Sequence, residues 1–253
     1  MKKFALLFLI LILGVLFVIF SRKWDKLSEK DQSTLDRTLA HWETWVPARK
    51  KDSTAPLITF EELYKGLDSE AQGFLDRVRK IKPSKKDFDK SIPLKRIAGQ
   101  KILRHGQSET LDTQYLPSKV YEAYEQMMAA MKQDLGKRLW VDSGYRSPAY
   151  QLYTFLYYMP KHHDSLSETR KWVALPGHSE HGDSNRQAID FISEGGINGD
   201  SDFEQTAEDF ERLREYKWLK QNAQKFGFKL SFPRGNWTTT FEPWHWRYSP
   251  SKS

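Results

Sequence analysis

Two imidazoles and one carboxylate, those of His181, Asp190 and His245, stand within short motifs in the last third of the chain. Catalytic zinc sites commonly use three such protein ligands and leave a fourth position for water, whose pKa falls to about 7. Glu242, three residues before His245, is placed to take the proton from that water as a general base. The same donor set also suits a non-haem iron centre, so spacing alone leaves the choice of metal open.

The composition narrows the classes of protein that the chain can belong to. Its 253 residues are 39% hydrophobic and 29% charged, which is typical of a globular protein. There is no cysteine, so disulfides, thiolate metal sites and cysteine nucleophiles are excluded. The net charge of +7 equals the excess of nine Lys or Arg over two Asp in residues 77–96 alone. A basic segment this short argues against a nucleic-acid groove built into the fold, and we expect no nucleic-acid partner.

The elements that must position these side chains alternate between helices and short strands without βαβ regularity, which predicts an α+β domain. Pro117 opens a helix whose apolar stripe continues until Gly136 closes it. The other predicted elements are a strand at 139–141, a helix at 148–159, a strand at 188–192, one or two helices at 203–226 ended by Gly227, and a strand at 244–248.

The N-terminus carries an unbroken apolar run at residues 4–20, between Lys2 and Lys3 on one side and Arg22 on the other. Its seventeen residues would form a helix of roughly 26 Å, slightly shorter than the hydrocarbon core of a bilayer. Because the small residues of a cleavage site are missing, we favour an uncleaved signal anchor over residues 1–21 rather than a secretory signal peptide. The rest of the chain would then face outward, into the periplasm or cell wall.

Residues 22–96 predict a helical stalk or accessory region, with helix-like patterns at 24–45 and 60–81. Its basic end contains Pro83 and Pro93, which suit a linker. We place the boundary of a catalytic domain, residues 97–253, near residue 96. The role of residues 22–96 stays open at this stage.

Four motifs occur in a characteristic order: Ser143-Gly144-Tyr145-Arg146-Ser147, Pro176-Gly177-His178-Ser179-Glu180-His181, Ala188-Ile189-Asp190 and Glu242-Pro243-Trp244-His245-Trp246-Arg247-Tyr248. Together they resemble the VanY-type D-alanyl-D-alanine carboxypeptidases, zinc peptidases of the bacterial wall, over about residues 100 to 250. The resemblance implies the hedgehog/DD-peptidase α+β fold and a Zn²⁺ cofactor.

The resemblance also assigns roles to individual residues. His181, Asp190 and His245 match the zinc ligands of that family, and Glu242 matches its catalytic base. Arg146 matches the arginine that contacts substrate near the scissile bond, although a salt-bridged arginine before a helix is the alternative. Gln151 and Ser179 match substrate-contacting positions.

One departure from the family pattern concerns the ligand spacing. The family usually reads His-x-x-Gly-x-Ala-x-Asp, seven residues from ligand to ligand, whereas His181 and Asp190 are nine apart. A polar outward turn between them would leave both ligands in place. Asp183 is then a rival ligand, and His178 is interpreted as a structural residue beside the site. The alternating Trp244, Trp246 and Tyr248 are interpreted as core rather than as a substrate-stacking face.

The expected function is removal of a terminal D-alanine from peptidoglycan stem peptides, as a DD- or LD-carboxypeptidase. An endopeptidase that cuts crosslinks would use the same catalytic residues. The rival from another class is a non-catalytic wall-binding module in which the two extra residues have spoiled the site. The retained Glu242 argues against that rival, because a structural zinc needs no free base.

Overall fold

The computed structural model of the chain describes residues 26–81, 92–183, 186–199, 204–235 and 240–249. The predicted signal anchor at residues 1–21 and most of the basic linker lie outside these ranges. Within them, no helix is both long enough and apolar enough to cross a bilayer.

The N-terminal part consists of four helices and a short 3-10 turn. They are α1 (Glu29–Glu43), α2 (Val46–Lys51), the 3-10 turn Ala55–Leu57, α3 (Phe60–Tyr64) and α4 (Ser69–Lys80). The helix predicted over 60–81 is interrupted after Tyr64, because Gly66 adopts a positive φ of 78° and Asp68 caps the N-terminus of α4. The interruption turns one predicted helix into two.

The remainder combines short strands with helices. The strands are β1 (Leu94–Ile97), β2 (Lys101–Arg104), β3 (Gln107–Thr110), β4 (Gln114–Pro117), β5 (Leu139–Ser143), β6 (Ala188–Ser193), β7 (Phe228–Leu230) and β8 (His245–Tyr248). The helices are α5 (Ser118–Leu135), α6 (Pro148–Tyr158), α7 (Leu166–Trp172), α8 (Ala207–Arg212) and α9 (Arg214–Asn222), with 3-10 turns at Pro160–His162, Glu180–Gly182 and Ala223–Phe226.

Four strands form the antiparallel sheet that carries the candidate site, in the order β5-β6-β8-β7. The central strand β6 is buried along nearly its whole length. Helix α5 packs its predicted apolar stripe against this sheet, in one core with Phe191, Trp246 and residues of α9. Gly136 ends α5 in the left-handed conformation, as its position in the sequence predicts.

A second core joins the N-terminal helices to α6. It contains Leu35, Trp42 and Phe74 from the N-terminal part together with Leu152 and Phe155 from α6. Residues 26–81 therefore form a layer packed on the helix that follows Arg146. The domain boundary near residue 96 stays a prediction.

The predicted α+β class is confirmed by this mixture of helices and antiparallel strands. The predicted elements from α5 onward begin and end close to the predicted residues, although the last helical stretch divides into α8, α9 and a 3-10 turn. Helix α7 and strand β7 were not predicted. Strands β1 to β4 form two separate two-stranded ladders that were not predicted from the sequence.

Candidate metal site

The three predicted metal ligands converge in the structure. One ligand atom from each of His181, Asp190 and His245 lies within 4.8 Å of the others. The sheet places two of them, because Asp190 on β6 and His245 on β8 are directly opposed in the antiparallel register. His181 arrives from the 3-10 turn Glu180–Gly182, and its Nε2 lies 3.1 Å from Asp190 Oδ2.

His181 is held in the tautomer that a metal ligand needs. Its Nδ1 lies 2.7 Å from the carbonyl oxygen of Gly144, which can only accept, so the proton is on Nδ1. Burial and the nearby charge of Arg146 lower the pKa of His181 to about 4, so the ring is neutral. The lone pair of Nε2 therefore faces a carboxylate oxygen of Asp190 with no proton between them, an arrangement that a cation would stabilise.

Gly144 is required at this point because the backbone passes close to β4. A Cβ on Gly144 would lie 2.4 Å from the carbonyl oxygen of Tyr115, which no side chain can accommodate. The neighbouring Tyr145 N–H donates to the same carbonyl at 2.6 Å. The Ser-Gly-Tyr-Arg-Ser motif thus brings the Gly144 carbonyl to the ring of His181.

His245 is fixed from both sides of its ring. Nδ1 lies 2.7 Å from Asp190 Oδ1, and Nε2 lies 3.2 Å from Glu180 Oε2. Burial disfavours the charged ring, but the charge and hydrogen bond of Asp190, helped by Glu180, raise the pKa of His245 to about 9. Burial likewise opposes ionisation of Asp190, yet the two histidines hold its pKa well below the ordinary value. Once Nδ1 of His245 has lost its proton, this nitrogen can bind a metal.

The predicted base lies beside this cluster. Glu242 Oε2 is 3.9 Å from His245 Nδ1, and the side chain is partly buried in the same cavity. Burial raises the pKa of Glu242 to about 7, with the charge of Asp190 acting in the same direction. A carboxylate that titrates near neutral pH can both accept and return a proton. The structure therefore places Glu242 beside the three candidate ligands, and its role as general base stays a prediction.

Arg146 lies between two adjoining cavities and lines both, one of about 990 Å³ around the ligands and one of about 390 Å³ beside α6. Its backbone N–H donates to the carbonyl of His181 at 3.0 Å, which ties it to a ligand. Burial lowers its pKa, although a guanidinium remains protonated at neutral pH. Its Nε is buried with no hydrogen-bond partner among the described residues. Its contact with substrate stays a prediction.

The other two predicted substrate-contacting residues also line the larger cavity. Gln151 donates from Nε2 to the carbonyl of Ala174 at 2.7 Å, and its buried Oε1 has no partner in the described part of the chain. Ser179 Oγ accepts from the N–H of His181 at 3.3 Å and so helps to shape the turn of that ligand. Their contact with substrate stays a prediction.

The two extra residues between His181 and Asp190 do not separate the ligands. Residues 184 and 185 lie outside the described ranges, but both flanking ligands occupy the site. Asp183, the rival ligand, is outside the metal-binding group, and its Oδ2 lies 3.5 Å from Arg186 Nε. His178 lines the cavity without joining the group.

The aromatic residues of the last strand pack mainly as core, as predicted. Trp246 is buried, and Trp244 and Tyr248 are packed against the same cluster. Trp244 also lines the cavity, so it borders the site as well.

Glu180 has a structural role that its place in the motif does not reveal. In the structure Glu180 accepts hydrogen bonds from His245 and Ser231, and Arg247 Nη1 lies 3.5 Å from its Oε1. Burial opposes ionisation, but these hydrogen bonds lower the pKa of Glu180. Its position next to His181 is the one sequence signal that could have pointed to this role.

Comparisons with known proteins match the part of the chain that contains the candidate metal site. A family model described as VanY, D-alanyl-D-alanine carboxypeptidase, matches residues 113–251. YodJ of Bacillus subtilis (strain 168), which carries a provisional carboxypeptidase name, is 34% identical over 151 residues, 57% of this chain and 50% of YodJ. The bifunctional D-Ala-D-Ala dipeptidase and carboxypeptidase VanXYC of Enterococcus gallinarum is 28% identical over 137 residues, 53% of this chain and 67% of VanXYC.

Among solved structures, a Zn(II) complex of a mutant D,D-pentapeptidase VanY from a VanB-type resistance cassette is 25% identical. The alignment covers 63% of this chain and 80% of that chain, with a TM-score of 0.42. The chain spans about half the length of YodJ. Because the family match covers more than half of the chain and includes His181, Asp190, Glu242 and His245, the chain belongs to the VanY family of D-alanyl-D-alanine carboxypeptidases.

Proposed function

We propose that the protein is a zinc-dependent carboxypeptidase that removes a terminal D-alanine from peptidoglycan stem peptides, with DD- or LD-specificity. The observation that carries this proposal is the convergence of His181, Asp190 and His245 within 4.8 Å, with the carboxylate of Glu242 3.9 Å from His245. Two imidazoles and a carboxylate are a common catalytic zinc set, and a structural zinc would need no neighbouring base.

Each residue of the site has its own role in the proposed reaction. His181 Nε2, His245 Nδ1 and Asp190 would hold the zinc, whose chemistry when bound is acidification of water and polarisation of a carbonyl group. Glu242 takes the proton of the attacking water and delivers it to the leaving amine. Arg146 binds the terminal carboxylate or the charge that develops on the scissile carbonyl oxygen.

We propose further that residues 1–21 anchor the protein in the cell membrane, with the catalytic part facing the periplasm or cell wall. The support is the apolar run at residues 4–20, flanked by lysines on its N-terminal side. Full-length protein should stay with membranes after a high-salt wash, because salt screens an attachment made only by the basic residues 77–96. Release by salt would refute the anchor.

The test of the activity is incubation of zinc-loaded protein with defined muropeptides, with the products identified by mass spectrometry. We expect a pentapeptide ending in D-Ala-D-Ala or a tetrapeptide ending in D-Ala to lose one alanine. His245→Ala should lose zinc and activity together, whereas His105→Asn, an exposed histidine on the β2–β3 turn, should keep both.

Amidated peptides separate the carboxypeptidase from the endopeptidase. Amidation removes the charged partner of Arg146, so amidated peptides should be cleaved poorly. Equal rates for free and amidated peptides, or cleavage of crosslinked dimers alone, would favour the endopeptidase. Full zinc occupancy with no hydrolysis of any of these substrates would favour the non-catalytic module.

A further inference from the structure

Large exposed apolar side chains are concentrated at the candidate site. Among the described residues, those of this kind are Leu103, Tyr158 and Trp172, which are 59%, 37% and 70% exposed. Tyr158 and Trp172 both line the cavity that holds the metal ligands. Trp172 and Tyr158 therefore present exposed aromatic faces to a ligand in this cavity.

The exposed indole of Trp172 has a parallel aromatic neighbour. Trp172 is the last residue of α7, whose first turn is capped by Ser165. Its indole lies parallel to the imidazole of His162, with 6.0 Å between ring centroids and 5° between the planes. His162 belongs to the 3-10 turn that follows α6. The two parallel rings form an aromatic platform on which a flat ligand face can stack.

Charged groups border the platform. Lys161 Nζ lies 4.8 Å from the ring centroid of Tyr158, and Arg170 and Lys171 line the same wall of the cavity. Lys171 also pairs with Glu168 at 2.7 Å. The ligand for this wall therefore needs a flat apolar face that covers the indole and a polar edge that meets ammonium, guanidinium and carboxylate groups.

We propose that Trp172, supported by His162, binds a sugar ring of the glycan to which the stem peptide is attached. A sugar ring has a flat face of C–H groups and an edge of hydroxyl and acyl groups, which matches this wall, whereas an apolar peptide side chain has no polar edge. The platform and the metal ligands line one cavity, so a substrate whose peptide end lies at His181 and His245 can extend to it. This inference rests on the proposed function for the identity of the polymer.

The experiment measures dissociation constants at equilibrium for three probes: a stem pentapeptide, the same pentapeptide carrying its disaccharide, and the disaccharide alone. Full-length, zinc-loaded protein with Glu242→Gln is used so that the peptides are not consumed. We expect the disaccharide to tighten pentapeptide binding about 3- to 10-fold, the range for one aromatic stacking contact.

The variants identify the contact. Trp172→Ala should reduce the tightening to less than about twofold, and Trp172→Tyr, which keeps an aromatic face, should restore part of it. Leu103→Ala is the matched control, because Leu103 is also an exposed apolar residue but does not line the cavity. It should keep the full tightening. Circular dichroism checks that each variant is folded.

The outcomes separate this inference from the proposed function. Tightening that persists in Trp172→Ala, or that is absent from the parent protein, would overturn the sugar platform. An equal loss of affinity for peptide and glycopeptide would show that Trp172 contacts the peptide and would overturn it as well. If the protein with Glu242 intact hydrolyses none of the peptides while the disaccharide still binds through Trp172, the proposed activity fails and the platform stands.

Discussion

The carboxylate of Glu180 lies 3.2 Å from Nε2 of His245, on the side of the ring opposite Asp190. Ser231 donates to the same carboxylate oxygen, and Arg247 lies close to the other. Glu180 is adjacent in sequence to His181, so one short turn carries a candidate ligand and also contacts the second candidate ligand, His245 on β8. A carboxylate behind a metal-binding histidine fixes the orientation of the ring and raises its basicity as a ligand.

Glu180→Ala should therefore weaken zinc binding about 10- to 100-fold without removing any ligand atom. The measurement is competition with a chelator of known affinity, at fixed pH. Glu168→Ala is the control, because Glu168 pairs only with Lys171 on the surface of α7 in the described structure. Unchanged zinc affinity in Glu180→Ala would show that Asp190 alone orients His245.

Glu242→Ala should separate metal binding from chemistry. The substitution leaves His181, Asp190 and His245 intact, so close to one zinc per chain should remain. Turnover should fall about 10²-fold or more, which is the scale for loss of a positioned general base. Elemental analysis and the rate of D-alanine release are measured on the same sample. A variant with near-normal turnover would mean that another carboxylate, such as Glu180, accepts the proton.

Zinc affinity should rise with pH up to about 9. In the zinc-free protein the pKa of His245 is raised to about 9, so below that pH zinc must displace the proton on Nδ1. Affinity should fall about tenfold for each pH unit below 9, because one proton is released per zinc. His181, with its pKa lowered to about 4, adds no further proton near neutrality. Chelator competition at pH 6.5, 7.5 and 8.5 gives the slope.

The stability of the zinc-free protein should change with pH in the opposite direction. The pKa of His245 is raised on folding, so its favourable contribution is complete below about pH 6.5 and is lost as the pH rises through about 9. The melting temperature of zinc-free protein should therefore fall over this range while zinc affinity increases. If both quantities are independent of pH, His245 is neutral before zinc binds.

The convergence of His181, Asp190 and His245 could be predicted from the sequence because residue type and motif order restrict the choice, whereas their role as ligands and that of Glu242 as the base stay predictions. Spacing along the chain could not show why the two extra residues before Asp190 are tolerated. The structure answers this, because the Nδ1 of His181 is hydrogen-bonded to the Gly144 carbonyl and its own carbonyl accepts from the Arg146 N–H, so contacts outside the turn hold His181 beside Asp190. The role of Glu180 depends on a contact across 65 positions of sequence, which no local pattern contains.

The fold was predictable where a periodic apolar pattern exists, as in α5, and where a short apolar run marks a buried strand, as in β6. The strands β2 and β3 are largely exposed, so they lack the alternation that identifies a strand. The packing of the N-terminal helices on α6 was not predictable either. Their apolar faces show that these helices pack against another part of the chain, but the sequence does not identify α6 as that part.

A substitution at Trp42 tests whether the N-terminal helices fold together with the part of the chain that carries the candidate site. Its side chain is fully buried, its Nε1 donates to the carbonyl of Leu63 at 2.9 Å, and its ring lies edge-on to Tyr153 of α6 at 5.7 Å. Trp42→Ala should lower the free energy of unfolding by about 3–5 kcal/mol, the usual cost of removing so large a core side chain. Trp172→Ala, which removes an exposed indole, should change it by less than about 0.5 kcal/mol.

The number of unfolding transitions shows whether the N-terminal helices and the rest of the chain unfold as one unit. Ser147 lies between Arg146 and α6. Its N–H donates to the carbonyl of Pro56 at 2.8 Å, and its hydroxyl donates to the carbonyl of Ile58 at 2.5 Å. Loosening the N-terminal layer should therefore disturb the substrate side of the site, and unfolding should be one cooperative transition that Trp42→Ala shifts as a whole. Calorimetry with peptidase activity followed along the same temperature series checks this. Two transitions, with activity following only the unshifted one, would mean that the predicted boundary near residue 96 separates units that fold independently.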